Sequence, residues 1–530
     1  MEPEWLDALL KVSGSNQADT HRLIQTHISW VILTNEIVYK IKKPVNFGFL
    51  DYTTLEKRRF FCEEEVRLNR RLCPEIYLGV APIVKTPDGA YAFDAQGETV
   101  EWAVKMRRMP EDGIMTHLLK RYELNSGHID AILNKLVSFY SLNADGDARH
   151  AQLAAEMGSL EVIRHNTEEN FAQISPFVAQ IIPSQLYEAI CSYTRGFLQT
   201  QADLFERRRQ EGHIKDGHGD LYSANICFDA SKNQVYIFDC IEFNDRFRYG
   251  DVASDAAFLA MDLDLHGYPD LASYFVSQLS HALNDPDMLK LMDFYKCYRA
   301  VVRGKIGCFT WADSGIDAAA REAALDNALR YFKLAGRYVQ PKRPKLYVVY
   351  GLSGTGKTTV ANMLAEMAHL PVYHSDQVRK ELVAGIPATE RRLEAFGQGI
   401  YSRELSQKTY HAMARLAARH LVLNEDVILD ATYINALERK RLLEIVEYCN
   451  AEPIFLQTTC PEPEVKRRLA NRLNQPQEVS DGRWEIYLKQ KERFMHKEGL
   501  EELPVEVIPT EDKAVMQEHL KAVLSKYKNK

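Results

Sequence analysis

The spacing of apolar positions changes near residue 340 and divides the chain into two unlike parts. Beyond this point, five short apolar runs alternate with helical segments, at 346–350, 371–373, 427–429, 454–458 and 505–508. Alternating strands and helices are typical of a mainly parallel sheet with helices on its faces. The pattern therefore predicts an α/β domain over 346–530.

The part before residue 340 has the pattern of a small sheet followed by helices. Apolar runs at 28–33 and 36–41 flank a Thr-Asn turn, which is a hairpin signal, and shorter strand patterns follow at 83–84, 91–93 and 102–106. A helical pattern covers 54–72, and mostly helical patterns fill 113–209 and the stretch up to 338. We predict an α+β domain over 1–338, with a small β lobe and a helical lobe, and a proline-bearing linker over 339–345.

Composition indicates the cellular setting. The 530 residues are 46% hydrophobic and 26% charged, as in ordinary globular proteins. The chain has no apolar run near the roughly 20 residues that span a bilayer, and its first residues do not have the pattern of a signal peptide. Nine cysteines without a CxxC pair fit reduced thiols. We therefore expect a cytoplasmic protein that does not act at a membrane.

The charge distribution argues against a dedicated nucleic-acid-binding domain. From Pro341 onward there are 29 Lys and Arg against 26 Asp and Glu, and before it there are 37 against 47. Neither balance provides the strongly basic surface of such a domain. The acidic first part would tolerate a cationic substrate, although a solvated surface is the simpler reading of its charges.

A glycine-rich turn lies between a predicted strand and a predicted helix of the second part. It matches GxxxxGK[ST] at every fixed position from Gly351 to Thr358. Glycines let backbone N–H groups and the helix N-terminus close around phosphates. We expect Lys357 to reach the β- and γ-phosphates and the Thr358 hydroxyl to hold Mg²⁺. The predicted ATP-binding residues of this turn are Gly351, Ser353, Gly354, Thr355, Gly356, Lys357, Thr358 and Thr359.

A second chemical pattern begins at residue 218. An HxDxxxxN sequence is followed by an apolar strand that ends in Asp239. Asp220 can accept the proton of an attacking hydroxyl, and Asn225 and Asp239 can hold Mg²⁺. We interpret Asp255, further along, as a structural brace for this loop.

Two arginines downstream have an open interpretation. Arg299 and Arg303 lie one helical turn apart on a predicted helix. We interpret them as a solvated or ion-paired face, with contact to an anion as the alternative.

The first part resembles the aminoglycoside phosphotransferase family, the small-molecule branch of the protein-kinase-like fold. The similarity lies in the catalytic loop at 218–228, the strand ending in Asp239 and the segment 250–255. The resemblance implies ATP and Mg²⁺ as cofactors, Lys40 as a phosphate contact and Glu65 as its partner on a helix. Lys42 and Glu64 are alternatives for that pair. No GxGxxG precedes the lysine strand, and residues 25–30 occupy the place of a phosphate-covering loop.

Three further features favour a kinase in the second part. Asp376 follows the strand after the helix that begins at the glycine-rich turn, and there it can face an acceptor hydroxyl. Arg379 can hold substrate or phosphate. Asp430 ends an apolar strand at the position that supports Mg²⁺. Arg468 and Arg472 lie on one helix face before a polar turn at 474–480, as in a lid over the phosphates.

The second part resembles the zeta-toxin and polynucleotide-kinase branch of the P-loop kinases. The matching segments are 351–359, 374–382, 427–441, 467–472 and 480–485. The resemblance implies that Asp376 is the candidate base, Arg379 a substrate contact and Arg472 a lid arginine at the nucleotide. Arg439 is a weaker candidate contact. A polynucleotide acceptor stays open for this part on the resemblance alone.

These patterns together predict two fused ATP-dependent phosphotransferases, each with its own Mg²⁺·ATP site and a small-molecule hydroxyl acceptor. A nucleotide sugar or a polynucleotide stays open as acceptor for the P-loop part. The alternative is a regulatory ATP-binding protein whose first part senses a ligand without transferring phosphate. We predict that aminoglycosides are not the physiological acceptors, because no aminoglycoside-binding segment is recognisable. Each part has its own phosphate contact, metal ligand and base, so we also predict independent sites.

Overall fold

The computed structural model describes residues 3–11, 21–142, 148–388, 390, 397–472, 482–494, 499–501 and 503–528. The strands are β1 Arg22–Gln25, β2 Ser29–Leu33, β3 Ile37–Lys42, β4 Tyr77–Lys85, β5 Tyr91–Phe93, β6 Glu98–Arg107, β7 Ile214–Asp216, β8 Ile226–Asp229, β9 Gln234–Ile237, β10 Tyr249–Asp251, β11 Lys345–Tyr350, β12 Val372–His374, β13 Val427–Asp430, β14 Glu452–Thr459 and β15 Val505–Pro509.

The helices fall into two sets that follow the same division of the chain. Those before residue 340 are α1 Glu4–Lys11, α2 Leu55–Asn69, α3 Met115–Lys120, α4 Ser126–Leu142, α5 Ala148–Met157, α6 Leu160–Ile174, α7 Ser184–Thr200, α8 Ala202–Gln210, α9 Asp245–Arg248, α10 Val252–Leu265, α11 Pro269–Ala282, α12 Met292–Ala312 and α13 Ala318–Val339. Those after it are α14 Lys357–Ala368, α15 Ser375–Gln377, α16 Arg403–Leu421, α17 Ala436–Tyr448, α18 Glu462–Arg472, α19 Trp484–Arg493 and α20 Lys513–Lys528, with a π-helical turn at Val378–Val383 after α15.

The first part begins with a six-stranded sheet in the order β1-β2-β3-β6-β4-β5, in which every neighbouring pair is antiparallel. The predicted hairpin is confirmed by the pairing of β2 with β3. Helix α2 starts where the Thr54 hydroxyl accepts a hydrogen bond from the Lys57 amide, a typical N-cap. It ends at Asn69, slightly before the predicted end near residue 72. This α+β lobe followed by helices agrees with the predicted fold class.

Helix α10 forms the centre of the helical lobe. All 14 of its residues are buried, and it packs on α11 and α12. Three aspartates, Asp255, Asp262 and Asp264, are buried on this helix among apolar neighbours. Buried carboxylates require hydrogen-bond donors, so these side chains fix neighbouring segments to the helix.

The second part is built on a five-stranded parallel sheet in the order β12-β13-β11-β14-β15. All five predicted strands are present. Helices cover both faces, which explains why the strands are continuous apolar runs. The carboxyl ends of β11, β12 and β13 lie side by side, because the strands are parallel and adjacent. The turn after each of these strands therefore reaches the same edge of the sheet.

The two parts are packed against each other through α11 and α16. Arg415 on α16 donates hydrogen bonds from Nη1 and Nη2 to the Asp270 carboxylate, with Nη2–Oδ2 at 2.8 Å. The neighbouring Arg419 donates to the His266 carbonyl oxygen at 3.2 Å. Gly267 has φ of 83°, and a Cβ there would lie 2.5 Å from the Arg415 carbonyl oxygen, so the backbones approach closely. The predicted linker coincides with the break between α13 and β11, but the parts also share this packed interface.

Two bulk expectations can be compared with the structure. None of the helices in the described ranges is long and apolar enough to cross a membrane. All nine cysteines are free thiols, and eight of them are buried.

Candidate active sites

The loop after β7 carries the HxDxxxxN sequence and is held by helix α10. The Asp255 carboxylate accepts hydrogen bonds from the His218 amide at 2.7 Å and the Gly219 amide at 3.0 Å. Asp262 accepts from the Ser223 amide at 3.0 Å. The interpretation of Asp255 as a brace is therefore confirmed, and Asp262 is a second brace with no signal in the sequence.

The loop brings Asp220 and Asn225 into direct contact. The Asn225 side-chain amide donates to the Asp220 carbonyl oxygen at 2.9 Å and to its carboxylate Oδ2 at 3.1 Å. Burial raises the pKa of Asp220, although the nearby Arg303 guanidinium opposes the rise. A higher pKa makes this carboxylate a better proton acceptor in the ionised form.

Asp239 follows strand β9 and contacts the lysine strand of the β lobe. Its backbone has φ of 64°, a left-handed conformation that is uncommon for a residue with a side chain. The Asp239 carboxylate accepts a hydrogen bond from Lys40, and Lys40 Nζ also donates to Glu65 Oε1 at 2.9 Å. Burial alone would lower the pKa of Lys40, but the Asp239 and Glu65 carboxylates outweigh it and raise that pKa. Three distant segments thus meet at one ammonium group.

The contacts distinguish between the two candidate glutamates and leave both candidate lysines paired. Lys42 also donates to Glu65, at 2.8 Å, and its ammonium group contacts Glu242 as well. Glu64 instead forms an ion pair with Arg67 on the surface. Glu65 is therefore the partner of both lysines. Glu242 is part of the same buried network and has no counterpart among the residues that the sequence pattern indicated.

A cavity of about 890 Å³ opens beside these residues. Lys40, Asp220 and Asp239 line one end of it, and residues 26–29, from the turn between β1 and β2, also contribute to its wall. The segment that replaces a glycine-rich loop is thus close to the predicted phosphate contacts. Helices α6, α9 and α12 form much of the remaining wall.

The interpretation of Arg299 and Arg303 as a solvated or ion-paired face holds only in part. Arg299 is buried, lies 3.6 Å from the Asp255 carboxylate and donates to the Gly219 carbonyl oxygen at 2.9 Å. Arg303 lies over the Tyr222 ring, 4.6 Å from its centroid, and lines the cavity. Neither side chain lies on a solvated helix face, because α12 packs directly behind the catalytic loop instead of facing water.

In the second part, the P-loop connects β11 to α14. Gly351, Gly354 and Gly356 have φ values of 145°, 82° and 92°, which side-chain-bearing residues rarely adopt. Cβ atoms at these positions would also approach neighbouring side chains, such as Thr458 Oγ1 at 2.6 Å from Gly351. Lys357 is the first residue of α14 and donates to the Leu352 carbonyl oxygen at 2.9 Å. The glycines are thus required by the course of the backbone around the helix N-terminus.

The strand-end acid of β13 meets the P-loop helix. The Thr358 hydroxyl donates to Asp430 Oδ2 at 2.8 Å, and His374 Nδ1 lies 2.7 Å from the same oxygen. Asp430 is buried, whereas Thr358 is exposed. The structure thus brings together the two residues that we predicted as Mg²⁺ ligands of this part.

The remaining predicted residues of the second part have different environments. Asp376 is half-buried on α15, and its carboxylate forms no side-chain hydrogen bond or ion pair with another residue in the described ranges. Arg379 is buried, with Nη1 donating to the Ile400 carbonyl oxygen and the Ser406 hydroxyl, both at 3.1 Å. Arg439 is fully buried and donates to the Tyr433 and Ile434 carbonyl oxygens, so it braces the turn after β13.

The predicted lid is described only in part. Arg468 donates to the Thr510 carbonyl oxygen at 2.6 Å, and a Cβ on Gly356 would lie 3.2 Å from Arg468 Nη1. Gln490 on α19, which the sequence did not indicate, accepts a hydrogen bond from the Ser353 amide at 2.8 Å. The Arg472 side chain and the turn at 474–480 lie outside the described residues.

Proteins with known sequences are similar to about three quarters of this chain. Rv2004c of Mycobacterium tuberculosis strain H37Rv is 31% identical over 414 residues, which are 77% of this chain and 78% of that protein. Mb2027c of Mycobacterium bovis has the same identity and coverage. The chain belongs to this family. Both members are described as uncharacterized, so the family assignment by itself names no activity. Residues 346–494 also match the family model of an AAA domain.

Solved structures with similar folds cover the two parts separately. An ADP-bound aminoglycoside phosphotransferase, APH(2'')-Ib, is 13% identical, covers 64% of this chain and 99% of its own, and has a TM-score of 0.34. A gluconokinase from Sinorhizobium meliloti 1021 is 20% identical, covers 36% of this chain and 97% of its own, and has a TM-score of 0.25. The fold of this chain is defined by the strand order and contacts described above.

Proposed function

We propose that the protein is an ATP-dependent phosphotransferase with two nucleotide sites, each of which transfers a phosphoryl group to a hydroxyl of a small molecule. The observation that carries the proposal is the position of Lys40, which contacts both Glu65 and Asp239. A phosphotransferase of the protein-kinase-like fold requires its lysine–glutamate pair and its metal-binding aspartate to be in place together. Here both contacts are made by one ammonium group.

The donor sets fit ATP and Mg²⁺. In the first site, Asn225 and Asp239 would hold the metal, and in the second site Thr358 and Asp430 would hold it. No group of three or more His, Cys, Asp or Glu forms a metal site within the described ranges. Mg²⁺ is commonly bound by one or two carboxylates together with phosphate oxygens, and each of the two pairs would supply one carboxylate. Bound Mg²⁺ would neutralise charge on the β- and γ-phosphates.

In the first site, the chain supplies the base and the positioning groups. The acceptor hydroxyl oxygen would form a bond to the γ-phosphorus while the bond from that phosphorus to the bridging β–γ oxygen breaks. The hydroxyl proton passes to the Asp220 carboxylate, and ADP leaves. Asp255 and Asp262 hold the loop, and Asn225 holds the Asp220 carboxylate in place. Orientation of this kind lowers the barrier without further chemistry from the protein.

The second site would use the same reaction with a different base. Strand β12 ends at His374, which contacts Asp430, and Asp376 lies two residues further along the chain. The strand therefore joins the candidate base to the candidate metal ligand at one edge of the sheet. The P-loop backbone and Lys357 would bind the phosphates.

The test is incubation of the full chain with γ-labelled ATP and a metabolite extract. A phosphotransferase places label on new compounds, and Asp220→Asn combined with Asp376→Asn should abolish it. The regulatory alternative predicts label only as free phosphate. If the wild-type chain consumes ATP but transfers label to no compound, the proposal is contradicted.

A further inference from the structure

The cavity beside Asp220 contains buried polar atoms that have no hydrogen-bond partner among the described residues. Four side-chain atoms of this kind lie on residues of its wall: Ser29 Oγ, Asn166 Oδ1, Arg246 Nη1 and Arg303 Nε. Most buried polar atoms in native proteins have partners. These four atoms lie just behind the cavity surface, so the wall of the cavity is polar at several places.

The charges of the cavity wall differ in how well they are paired. The carboxylates of Asp239, Glu242, Asp251 and Glu169 each form an ion pair with a lysine or an arginine. Lys305 instead donates to the side-chain oxygens of Asn170 at 2.6 Å and Gln173 at 2.8 Å. Among the residues that the structure describes, no carboxylate lies within 4 Å of the Lys305 or Arg303 nitrogens. Lys305 therefore carries a positive charge on the cavity wall that no carboxylate within 4 Å neutralises, and Asp313, a carboxylate of the same wall, has His27 nearby, at 4.0 Å.

Helix α12 arranges the cationic side chains along the cavity. Arg299 contacts the catalytic loop through the Gly219 carbonyl oxygen, Arg303 lies near Asp220, and Lys305 lines the cavity two residues further along the helix. The helix rises about 9 Å from Arg299 to Lys305 at its usual spacing. A small metabolite of about this length would place one group at the catalytic loop and a second group near Lys305.

We propose that the acceptor of the first site is a hydroxylated small molecule with an anionic group, a carboxylate or a phosphate. Lys305 and Arg246 bind that anionic group while the hydroxyl faces Asp220. The proposal rests on the phosphotransfer proposed above. Charge-assisted hydrogen bonds from an ammonium and a guanidinium are the strong contacts available to such a group. A polycationic aminoglycoside would meet like charge at this end of the cavity.

The environment of Lys305 agrees with this role. Burial lowers the pKa of Lys305 to about 8, although the Glu169 carboxylate opposes the decrease and the Arg246 guanidinium adds to it. The ammonium group is then mostly charged at pH 7 and loses its charge as the pH rises through about 8. A bound anion favours the charged form. The KM for the acceptor should therefore rise above pH 8.

The experiment uses the full chain with Lys357→Ala, which silences the second site, and a metabolite extract separated beforehand into anionic, neutral and cationic fractions. Label from γ-labelled ATP should appear with the anionic fraction and disappear in Asp220→Asn. Phosphatase treatment of that fraction before the assay separates the two sources, because it destroys phosphate esters and leaves carboxylates. Transfer confined to the neutral or cationic fraction would overturn the proposal but leave the phosphotransferase intact. Absence of Asp220-dependent transfer from every fraction would refute both.

Variants test the contact itself once an accepting fraction is found. Lys305→Met should raise the KM about 10–100-fold and change kcat by no more than a few-fold. Lys305→Arg should restore the KM and remove its rise above pH 8. Arg246→Gln is the second variant if Lys305→Met does not fold. Arg195→Met is the matched control, since this arginine pairs with Glu168 on the outer surface of α6. An unchanged KM in folded Lys305→Met and Arg246→Gln would contradict the proposal.

Discussion

The Thr358 hydroxyl donates a hydrogen bond to the Asp430 carboxylate at 2.8 Å. Thr358 lies on α14, which the P-loop connects to β11, and Asp430 ends β13, the parallel strand adjacent to β11. A hydroxyl and a carboxylate at this edge can share one Mg²⁺, directly or through water. The relationship supports the assignment of both residues as metal ligands and leads to the first prediction.

Asp430→Asn should reduce turnover at the second site about 10²-fold or more, because it removes the charge opposite the metal but keeps the side-chain shape. The Mg²⁺ concentration needed for half-maximal turnover should also rise. Steady-state kinetics as a function of Mg²⁺ measure both effects. Asp426→Asn is the control, since Asp426 precedes the same strand and accepts from the Lys345 amide at its opposite end. Equal effects of the two substitutions would show that Asp430 is not a ligand of the metal.

Asp376→Asn should lower kcat at the second site by about 10²–10⁴-fold and change nucleotide affinity by no more than a few-fold. The reason is that a general base acts on the acceptor proton and does not bind the nucleotide. Single-turnover kinetics and a nucleotide titration separate the two quantities. Loss of nucleotide binding would place Asp376 with the metal ligands instead.

The two nucleotide sites should be occupied independently. Each part has its own phosphate contact and metal ligand, so Lys357→Ala should remove binding to the second site alone and Asp239→Ala binding to the first. Calorimetric titration with a non-hydrolysable ATP analogue should count about two sites in the wild type and one in each variant. Loss of both binding events in either variant would show a shared or coupled site.

Asp270→Asn should weaken the packing of the two parts. It leaves the buried Arg415 guanidinium without its carboxylate, which we expect to cost about 1–3 kcal/mol in the free energy of unfolding. Urea unfolding of the full chain measures the change. Glu168→Gln removes an exposed pair with Arg195 and should cost less than about 1 kcal/mol. Separate unfolding transitions in the wild type would contradict the coupling of the two parts through this interface.

The same interface should make stability depend on pH through His411. Burial lowers the pKa of His411 to about 4, and Arg415 adds to the decrease. Below pH 6.5 the unfolded chain binds a proton that the folded chain does not, so stability decreases as the pH falls toward 4. His411→Gln should reduce the loss of stability between pH 7.5 and pH 5, measured by urea unfolding. His519→Gln, at an exposed position of α20, is the control. An unchanged pH dependence in His411→Gln would contradict this account.

The sequence determined the local structure and the chemistry of both sites. Short apolar runs predicted all five parallel strands, because strands buried on both faces have few polar residues. The glycines and Lys357 identified the P-loop, since their spacing is set by the turn itself. The sequence also placed Asp220 and Asn225 together, because only a few residues of loop separate them. In all these cases the interacting groups are close along the chain.

Only the tertiary structure decided which distant side chains meet. Glu65 was selected over Glu64 because the inner face of α2 is turned toward β3, and one residue along a helix changes the facing direction by about 100°. Glu242 belongs to the network because the segment after β9 packs against the lysine strand, where Lys42 contacts it. Arg303 and Lys305 line a cavity because α12 packs behind the catalytic loop, and Arg415 reaches Asp270 across the boundary between the parts. Such contacts join residues that are far apart in sequence, where neither periodicity nor motif spacing carries information.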